Sequence, residues 1–219
     1  MSIRVRFAPS PTGGIHIGGL RTALFNYLYA KKYNGRFILR IEDTDNKRRV
    51  IGAENYILDS LQWIGIEPEE GPNYGGEYGP YKQSERKDIY EKEIIRLING
   101  GKAYYAFDST ESLDKLRQEY ERDGRKFKYD SFTRNSLLNS LTLSEKDTKE
   151  KIKDGGYVIR LKVEGSKNID VFDEIRGKID VKSEEIDDKI LVKANGMPTY
   201  HFANVIDDHY MKISHVIRG

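Results

Sequence analysis

Apolar and polar positions alternate from the start. In "IRVRFA", residues 3–8, Ile3, Val5 and Phe7 take every second place and predict a strand. Pro9 and Pro11 end it, because proline brings no N–H to a sheet ladder. From Gly18 the pattern lengthens to a helical period, with Leu20, Leu24, Tyr27 and Leu28 on one face and Asn34-Gly35 as a left-handed stop. "RFILRIE", residues 36–42, predicts a second, largely apolar strand. Val50, Ala53, Ile57, Leu61 and Ile64 then predict a helix over 47–64, closed by Gly65. Strand, helix, strand and helix with short connections imply an α/β domain with a parallel sheet and a right-handed crossover.

The pattern changes at "EPEEGPNYGGEYGPY", residues 67–81, where proline, glycine and tyrosine mark a boundary loop. Ser84 is placed to cap a helix through Tyr90, Ile94 and Leu97 that stops at Gly100-Gly101. A short strand, "AYYAF", precedes a polar helical stretch near 110–122, and residues 134–154 carry two weaker helical patterns. "YVIRLKV", "IDVFDEI" and "GKIDV" read as strands of a small sheet, "KILVK" begins one more, and "ISHVIRG" reads as a last strand. The expected organisation is a nucleotide-binding half-fold over 1–72, an insertion over 73–188 and a return to the first sheet over 189–219.

Composition narrows the function. The chain has 219 residues, 37% hydrophobic and 33% charged, which is ordinary for a globular protein and long enough for one core with a smaller appended lobe. A net charge of +2 announces no nucleic-acid binder by itself. The absence of cysteine excludes disulfides, thiolate metal sites and cysteine nucleophiles. No apolar run approaches the roughly 20 residues that cross a bilayer, and the start has no signal-peptide core, so a cytoplasmic protein with no membrane partner is expected.

Candidate chemistry sits in "SPTGGIHIGGL", where His16 stands between two glycine pairs as a helix begins. A turn from strand to helix N-terminus gathers backbone N–H groups and the helix dipole on an anion. Glycines at 18 and 19 would let a nucleotide approach, and His16 could neutralise charge on a reacting phosphate. The spacing matches neither common phosphate loop. The residues alone leave open a plain tight turn whose histidine bonds to backbone.

The wider context resembles a known family. "RFAPSPTGGIHIGGLRTALFNYLYA" followed by "GRFILRIEDTD" is similar to the opening of bacterial-type glutamyl-tRNA synthetases, with "HIGG" as their form of the class I HIGH motif. The likeness continues through "QSERKDIYEKEIIRLINGGKAYYAF", "YVIRLKV", "FDEIRGKIDV" and "NGMPTYHFANVIDDHYMKISHVIRG". It implies a Rossmann-like parallel sheet with an inserted α+β domain (the connective peptide) that grips the tRNA acceptor end. It also implies a glutamate–tRNA ligase that activates L-glutamate with ATP and Mg2+ and passes it to tRNA(Glu), acting as a monomer.

By that resemblance Thr12, His16, Gly18 and Gly19 belong to the ATP site, and His16 steadies the α-phosphoryl transition state. Arg6 and Arg218 face the substrate's side-chain carboxylate, which guanidinium forks suit. Glu42 receives its ammonium; generic dinucleotide-fold logic would instead make this a ribose-binding acid. Ala8, Ser10, Tyr200 and Asn204 complete the amino-acid pocket, the last two being four apart and on one face if helical. Asp45 lies near the incoming tRNA end or caps the next helix, and Arg125, Lys126 and Lys128, interleaved with Phe127 and Tyr129, suit tRNA contacts.

The chain also departs from the family. Many relatives place zinc-binding cysteines where it has Ala106, Asp108 and Thr133, with a fourth ligand near Asn135, so no structural zinc is expected. The family's KMSKS-type loop and anticodon-binding domain have no equivalent here, which reads as an N-terminal portion. Competing readings are a glutamyl-queuosine tRNA(Asp) synthetase, whose relatives usually keep the cysteines, and a glutaminyl-tRNA synthetase, which usually has a different first loop. A small nucleotidyltransferase would explain residues 1–45 only, and a tRNA acceptor-binding module would need no chemistry at all.

Overall fold

The structure is a computed structural model that describes residues 2–44, 48 and 50–218. The chain forms two compact units, Met1–Glu91 with Ala203–Gly219, and Lys92–Phe202. In the first unit β1 (Arg4–Phe7), α1 (Ile17–Lys32), β2 (Arg36–Leu39) and α2 (Ala53–Trp63) follow in order. β1 and β2 pair in parallel, from Arg4 opposite Arg36 to Phe7 opposite Leu39, joined by α1. Side chains of a strand alternate between faces, so the odd positions form one surface and the even positions another. Val5, Phe7, Phe37, Leu39 and Ile41 enter an apolar core with Ala23, Ala30, Ile57, Leu61 and Ile66. The even set carries Arg4, Arg6, Arg40 and Glu42, all buried. Ile38 packs there with Tyr81 and Met211.

The stretch 67–81 remains with this unit because its backbone pairs with β2 and the residues just after it. Leu39 N–H donates to the Glu70 carbonyl at 2.9 Å, and Ile41 N–H to that of Tyr81 at 2.9 Å. The chain leaves the first unit at Glu91, later than the composition change at 72 suggests.

Four expectations need correction. Helix α1 buries Ala23, Asn26 and Ala30, small side chains that let it lie against the sheet, whereas Leu24 and Leu28 are 43% and 52% exposed. Helix α2 begins at Ala53 rather than 47, because Gly52 before it takes a left-handed φ of 81°. Ser84 caps no helix: it lies in the 3-10 turn Gln83–Glu85 and donates its N–H and hydroxyl to Asp43 at 2.8 and 2.6 Å. "ISHVIRG" forms no strand among its described residues. Ser214 N–H donates to the Arg4 carbonyl at 2.9 Å, but Arg4 N–H donates to Ser214 Oγ at 2.8 Å, so a hydroxyl stands where a ladder needs a carbonyl.

In the second unit, α3 (Lys87–Asn99), which begins in the first, leads to β3 (Ala103–Ala106), α4 (Thr110–Arg122), α5 (Glu145–Asp154) and β4 (Val158–Leu161). β5 (Asn168–Asp173), β6 (Gly177–Lys182) and β7 (Ile190–Val192) follow, and α6 (Tyr200–Tyr210) runs back into the first unit. Ser109 and Ser144 cap α4 and α5, accepting from Ser112 N–H and Asp147 N–H at 3.1 Å each. The expected small sheet is two: an antiparallel β3-β4-β7 sheet and a separate β5-β6 hairpin.

Tyr104, Ala106, Leu113, Tyr129 and Leu137 form the apolar centre of this unit. Beside them Asp188, fully buried, accepts from Tyr104 OH at 2.6 Å, Arg134 Nη1 at 2.9 Å and Val163 N–H at 2.9 Å. Asp108 accepts from Tyr129 OH at 2.9 Å and Leu138 N–H at 3.0 Å, and Thr133 Oγ1 donates to the Lys128 carbonyl at 2.6 Å. Hydrogen bonds therefore tie both residues into the lobe.

Candidate active site

The charged face of β1 and β2 is the starting point. Arg6 is 3% exposed, and its Nε donates to Asp208 Oδ1 at 2.9 Å. The same Oδ1 accepts from Arg40 Nη1 at 2.6 Å, and Arg40 Nη2 donates to Glu42 Oε1 at 3.0 Å. Behind them Asp207, fully buried, accepts from Arg86 Nε at 2.7 Å, Gln83 Nε2 at 2.8 Å and Tyr90 OH at 2.9 Å. Arg6, Arg40 and Arg86 thus meet Glu42, Asp207 and Asp208, three cations against three anions. Such groups leave water only when each is paired.

Local sequence explains the assembly. Arg40 stands two places before Glu42 and so shares its strand face. Asp207 and Asp208 lie three and four places beyond Asn204 in α6, so all three share a helical face. Burial works against charge on Arg40, but Asp208, Glu42 and Asp207 outweigh it and hold its pKa above the usual arginine value. At Glu42 burial wins: it pushes the carboxyl above the usual glutamate value despite the charge and hydrogen bond of Arg40 and the charge of Arg6.

Within this lattice Arg40 Nε, Arg86 Nη2 and Gln83 Oε1 are buried without a hydrogen-bond partner, and two further groups keep unused capacity. Among the described residues neither Nη of Arg6 donates a hydrogen bond, and Glu42 Oε2 accepts none. A pair of N–H donors and a bare carboxylate oxygen on one sheet face match a ligand that carries both a carboxylate and an ammonium.

The strand-to-helix turn forms the second half of the site. His16 is the N-cap of α1, and its Nδ1 accepts from Gly18 N–H at 3.1 Å. That bond leaves the proton of a neutral imidazole on Nε2. His16 thus bonds to backbone as the plain-turn reading expects, and the residue is exposed. Gly18 has a local reason as well: a Cβ there would stand 2.8 Å from His16 Cε1. At Gly19 a Cβ would stand 2.9 Å from Ile15 Cγ1, so a side chain at either position would force the His16 ring or the Ile15 side chain to shift. Thr12 and Ser10 are exposed, Thr12 N–H donating to the Ser10 carbonyl at 2.9 Å, and Ala8 is half-buried.

Other predicted residues are placed as follows. Tyr200 opens α6 in the second unit, 46% exposed, and Asn204 lies one turn on, buried, in the first. Arg218 is exposed, and Asp45 lies outside the described residues. Arg125 and Lys126 line an open groove of about 610 Å³ with Arg117, Glu121, Gly124 and Phe127. Arg125 also donates to Asp123 at 2.8 Å and sits 4.6 Å over the Tyr120 ring, and Lys128 Nζ donates to the Glu185 carbonyl at 3.4 Å. Among the described residues no three His, Cys, Asp or Glu side chains gather as a metal-binding group, and no helix is long and apolar enough to cross a membrane. Sequence reasoning missed Arg40, Gln83, Arg86, Tyr90, Asp207 and Asp208. Parity with Glu42 and helical spacing from Asn204 were the available signals for Arg40 and the aspartates; the others arrive through the turn after the 67–81 loop and carry none.

A parallel sheet whose first strand turns through glycines into a helix N-terminus, beside a buried ionic face, has the arrangement of an α/β domain of the kind that binds nucleotides. The chain belongs to the class I tRNA synthetases (E and Q), catalytic domain, whose family model matches residues 2–219. It is 54% identical over 218 residues to a glutamate–tRNA ligase of Flavobacterium johnsoniae and 56% identical to one of Flavobacterium psychrophilum, covering 99% of this chain and 44% of each relative. Among solved structures, a glutamate tRNA ligase from Elizabethkingia meningosepticum in complex with its amino acid superposes with a TM-score of 0.94 at 53% identity, over 99% of this chain and 43% of that one. The glutamate–tRNA synthetase of Elizabethkingia anophelis gives the same score and identity. The chain thus spans under half the length of the relatives it matches.

Proposed function

We propose that this chain carries the amino-acid site and the ATP-phosphate site of a cytoplasmic, monomeric glutamate–tRNA ligase. The observation that supports this most is the buried Arg6 with an uncommitted Nη edge beside a Glu42 with an uncommitted oxygen. In this reading Arg6, with Arg218, holds the side-chain carboxylate of L-glutamate, and Glu42 holds its ammonium. Ala8, Ser10 and Asn204 complete the pocket in this unit. That leaves the α-carboxylate directed toward ATP, which enters with Mg2+ as substrate. One carboxylate oxygen attacks the α-phosphorus, the bond to the β-phosphate oxygen breaks, and pyrophosphate departs. His16 donates from Nε2 to the charge spreading over the phosphate oxygens, with Thr12, Gly18 and Gly19 lining its approach. A hydroxyl of the tRNA's terminal adenosine then takes the glutamyl group and releases AMP. The groove at Arg125 and Lys126 suits the acceptor-end phosphates.

Calorimetric titration with a non-hydrolysable glutamyl-adenylate analogue, and with its glutaminyl counterpart, tests this reading. A charge-assisted bond contributes about 1.5–3 kcal/mol, so the glutamyl form should bind about 10- to 100-fold more tightly. Equal affinity would overturn the carboxylate role of Arg6, and no binding by a folded sample would overturn the site.

A further inference from the structure

The first unit's ionic lattice contains two carboxylates that the proposed chemistry does not use, Asp207 and Asp208. Asp208 touches no predicted substrate group, yet its Oδ1 alone accepts from both Arg6 Nε and Arg40 Nη1. A guanidinium held by Nε cannot rotate about its long axis without breaking that bond, so its two Nη groups keep one direction. The second bond extends the constraint, because the Arg40 it anchors donates from Nη2 to Glu42. Among the described residues, the hydrogen bonds that hold the Arg6 and Glu42 side chains thereby trace back to a single oxygen. Asp207, one residue earlier, is braced by Arg86, Gln83 and Tyr90 and fixes that turn of α6. Asp208 is the less enclosed of the two, its side chain 16% exposed against 0% for Asp207, so its substitution disturbs packing less.

We propose that Asp208 is a positioning residue for substrate selection, holding Arg6 and, through Arg40, Glu42 at the separation and orientation that distinguish a glutamyl from a glutaminyl group. The proposal rests on the glutamate-site reading above. Asp208 also sets the charge. It offsets part of the charge of Arg40, which is fully buried and also held by Glu42, so that the positive edge left for a ligand belongs to Arg6. Without it, the Arg6 guanidinium could turn about its long axis, and an amide oxygen would satisfy it nearly as well as a carboxylate.

The test compares the parent chain with Asp208→Asn, Asp208→Glu and Arg6→Ala, titrating each with the glutamyl- and glutaminyl-adenylate analogues and measuring its thermal midpoint. Asp208→Asn keeps the size and an acceptor oxygen but removes the charge. It should lower glutamyl affinity about tenfold, as expected for one weakened charge-assisted bond, and change glutaminyl affinity far less. Asp208→Glu, which can reach the same two donors, should recover part of the preference. The Arg6 Nε–H should also exchange with solvent faster in Asp208→Asn than in the parent, read by nitrogen-15 NMR without ligand. An equal fall in both affinities would mark a merely structural residue and overturn the proposal. So would an unchanged preference in Asp208→Asn when Arg6→Ala abolishes it. If Arg6→Ala itself leaves the preference intact, the glutamate-site reading fails first and the proposal falls with it.

Discussion

Asp188 in the second unit and Asp208 in the first are both enclosed carboxylates among arginines, and they do opposite things with their neighbours. Asp188 is saturated: Tyr104, Arg134 and the Val163 amide fill its oxygens, and Arg160 Nη1 donates to its carbonyl at 2.9 Å while its guanidinium lies 3.9 Å over the Tyr129 ring. Its surroundings form a closed polar centre beside the apolar cluster of Tyr104, Leu113 and Leu137. Asp208 instead passes its constraint outward, to an arginine whose Nη pair stays uncommitted among the described residues. Buried charge alone therefore does not mark a site. Nor does an unpartnered buried atom alone, since Arg160 Nε beside Asp188 has no hydrogen-bond partner among the described residues either. What sets the first unit apart is that an uncommitted donor pair, on Arg6, and an uncommitted acceptor, Glu42 Oε2, share one sheet face.

The sharpest way to break this comparison is to remove Asp188. Deleting one member of a buried ionic set leaves its partners charged and unpaired, which costs about 3–5 kcal/mol. Asp188→Ala should lose that much in urea unfolding and strand Arg134 without its carboxylate. Were the loss under about 1 kcal/mol, the range measured for exposed pairs, Asp188 would not be the centre it is taken for. The same experiment on Asp208→Asn should show a much smaller loss, because that side chain is not fully enclosed.

How much of this was legible in the sequence follows the same division. The apolar face of the first unit was readable, because Val5, Phe7, Phe37 and Leu39 obey strand alternation and the α/β crossover follows from it. Leu24 and Leu28 misled, since helix–sheet proximity was achieved with alanines, and propensity does not say which of two adjacent faces turns inward. Arg6 and Glu42 were singled out only through motif resemblance, because arginine in a strand ordinarily reads as a surface charge. Their supports were hidden for a different reason: Asp208 lies 202 residues from Arg6, and no local pattern encodes a pairing at that distance. Ser214 shows the limit at its finest, where a single hydroxyl replaces a carbonyl and turns a predicted strand into an edge contact.

The next largest effect is on pH. Burial holds the Glu42 carboxyl above the ordinary glutamate value, whereas at Glu70 burial is outweighed by hydrogen bonds from Arg4 and Tyr81 and the pKa falls below it. The folded protein therefore keeps a proton on Glu42 that the unfolded chain has already released, and this contribution to stability declines as pH rises from the ordinary value to the raised one. Ammonium binding needs the ionised form and must move the opposite way. Affinity for the glutamyl-adenylate analogue should fall as pH is lowered through that window, approaching about tenfold per pH unit beneath the raised pKa. In Glu42→Gln the step should vanish, with weak binding throughout. An identical pH profile in that variant would assign the titration to another group.

His16 gives the smallest effect on stability and separates its two roles. As the N-cap of α1 its Nδ1 accepts from Gly18 N–H, and truncating a capping side chain costs about 0.5–2 kcal/mol. His16→Ala should lose about that much in urea unfolding and also weaken the adenylate analogue at its phosphate. Asn is among the better N-capping residues, so His16→Asn should restore most of the stability. It has no imidazole Nε2 to reach a phosphate, so the analogue should bind as weakly as in His16→Ala. If the two variants instead lose affinity in proportion to lost stability, His16 acts on the ligand only by holding the helix end. The turn between β1 and α1 would then be scaffold, as the Asp188 centre is.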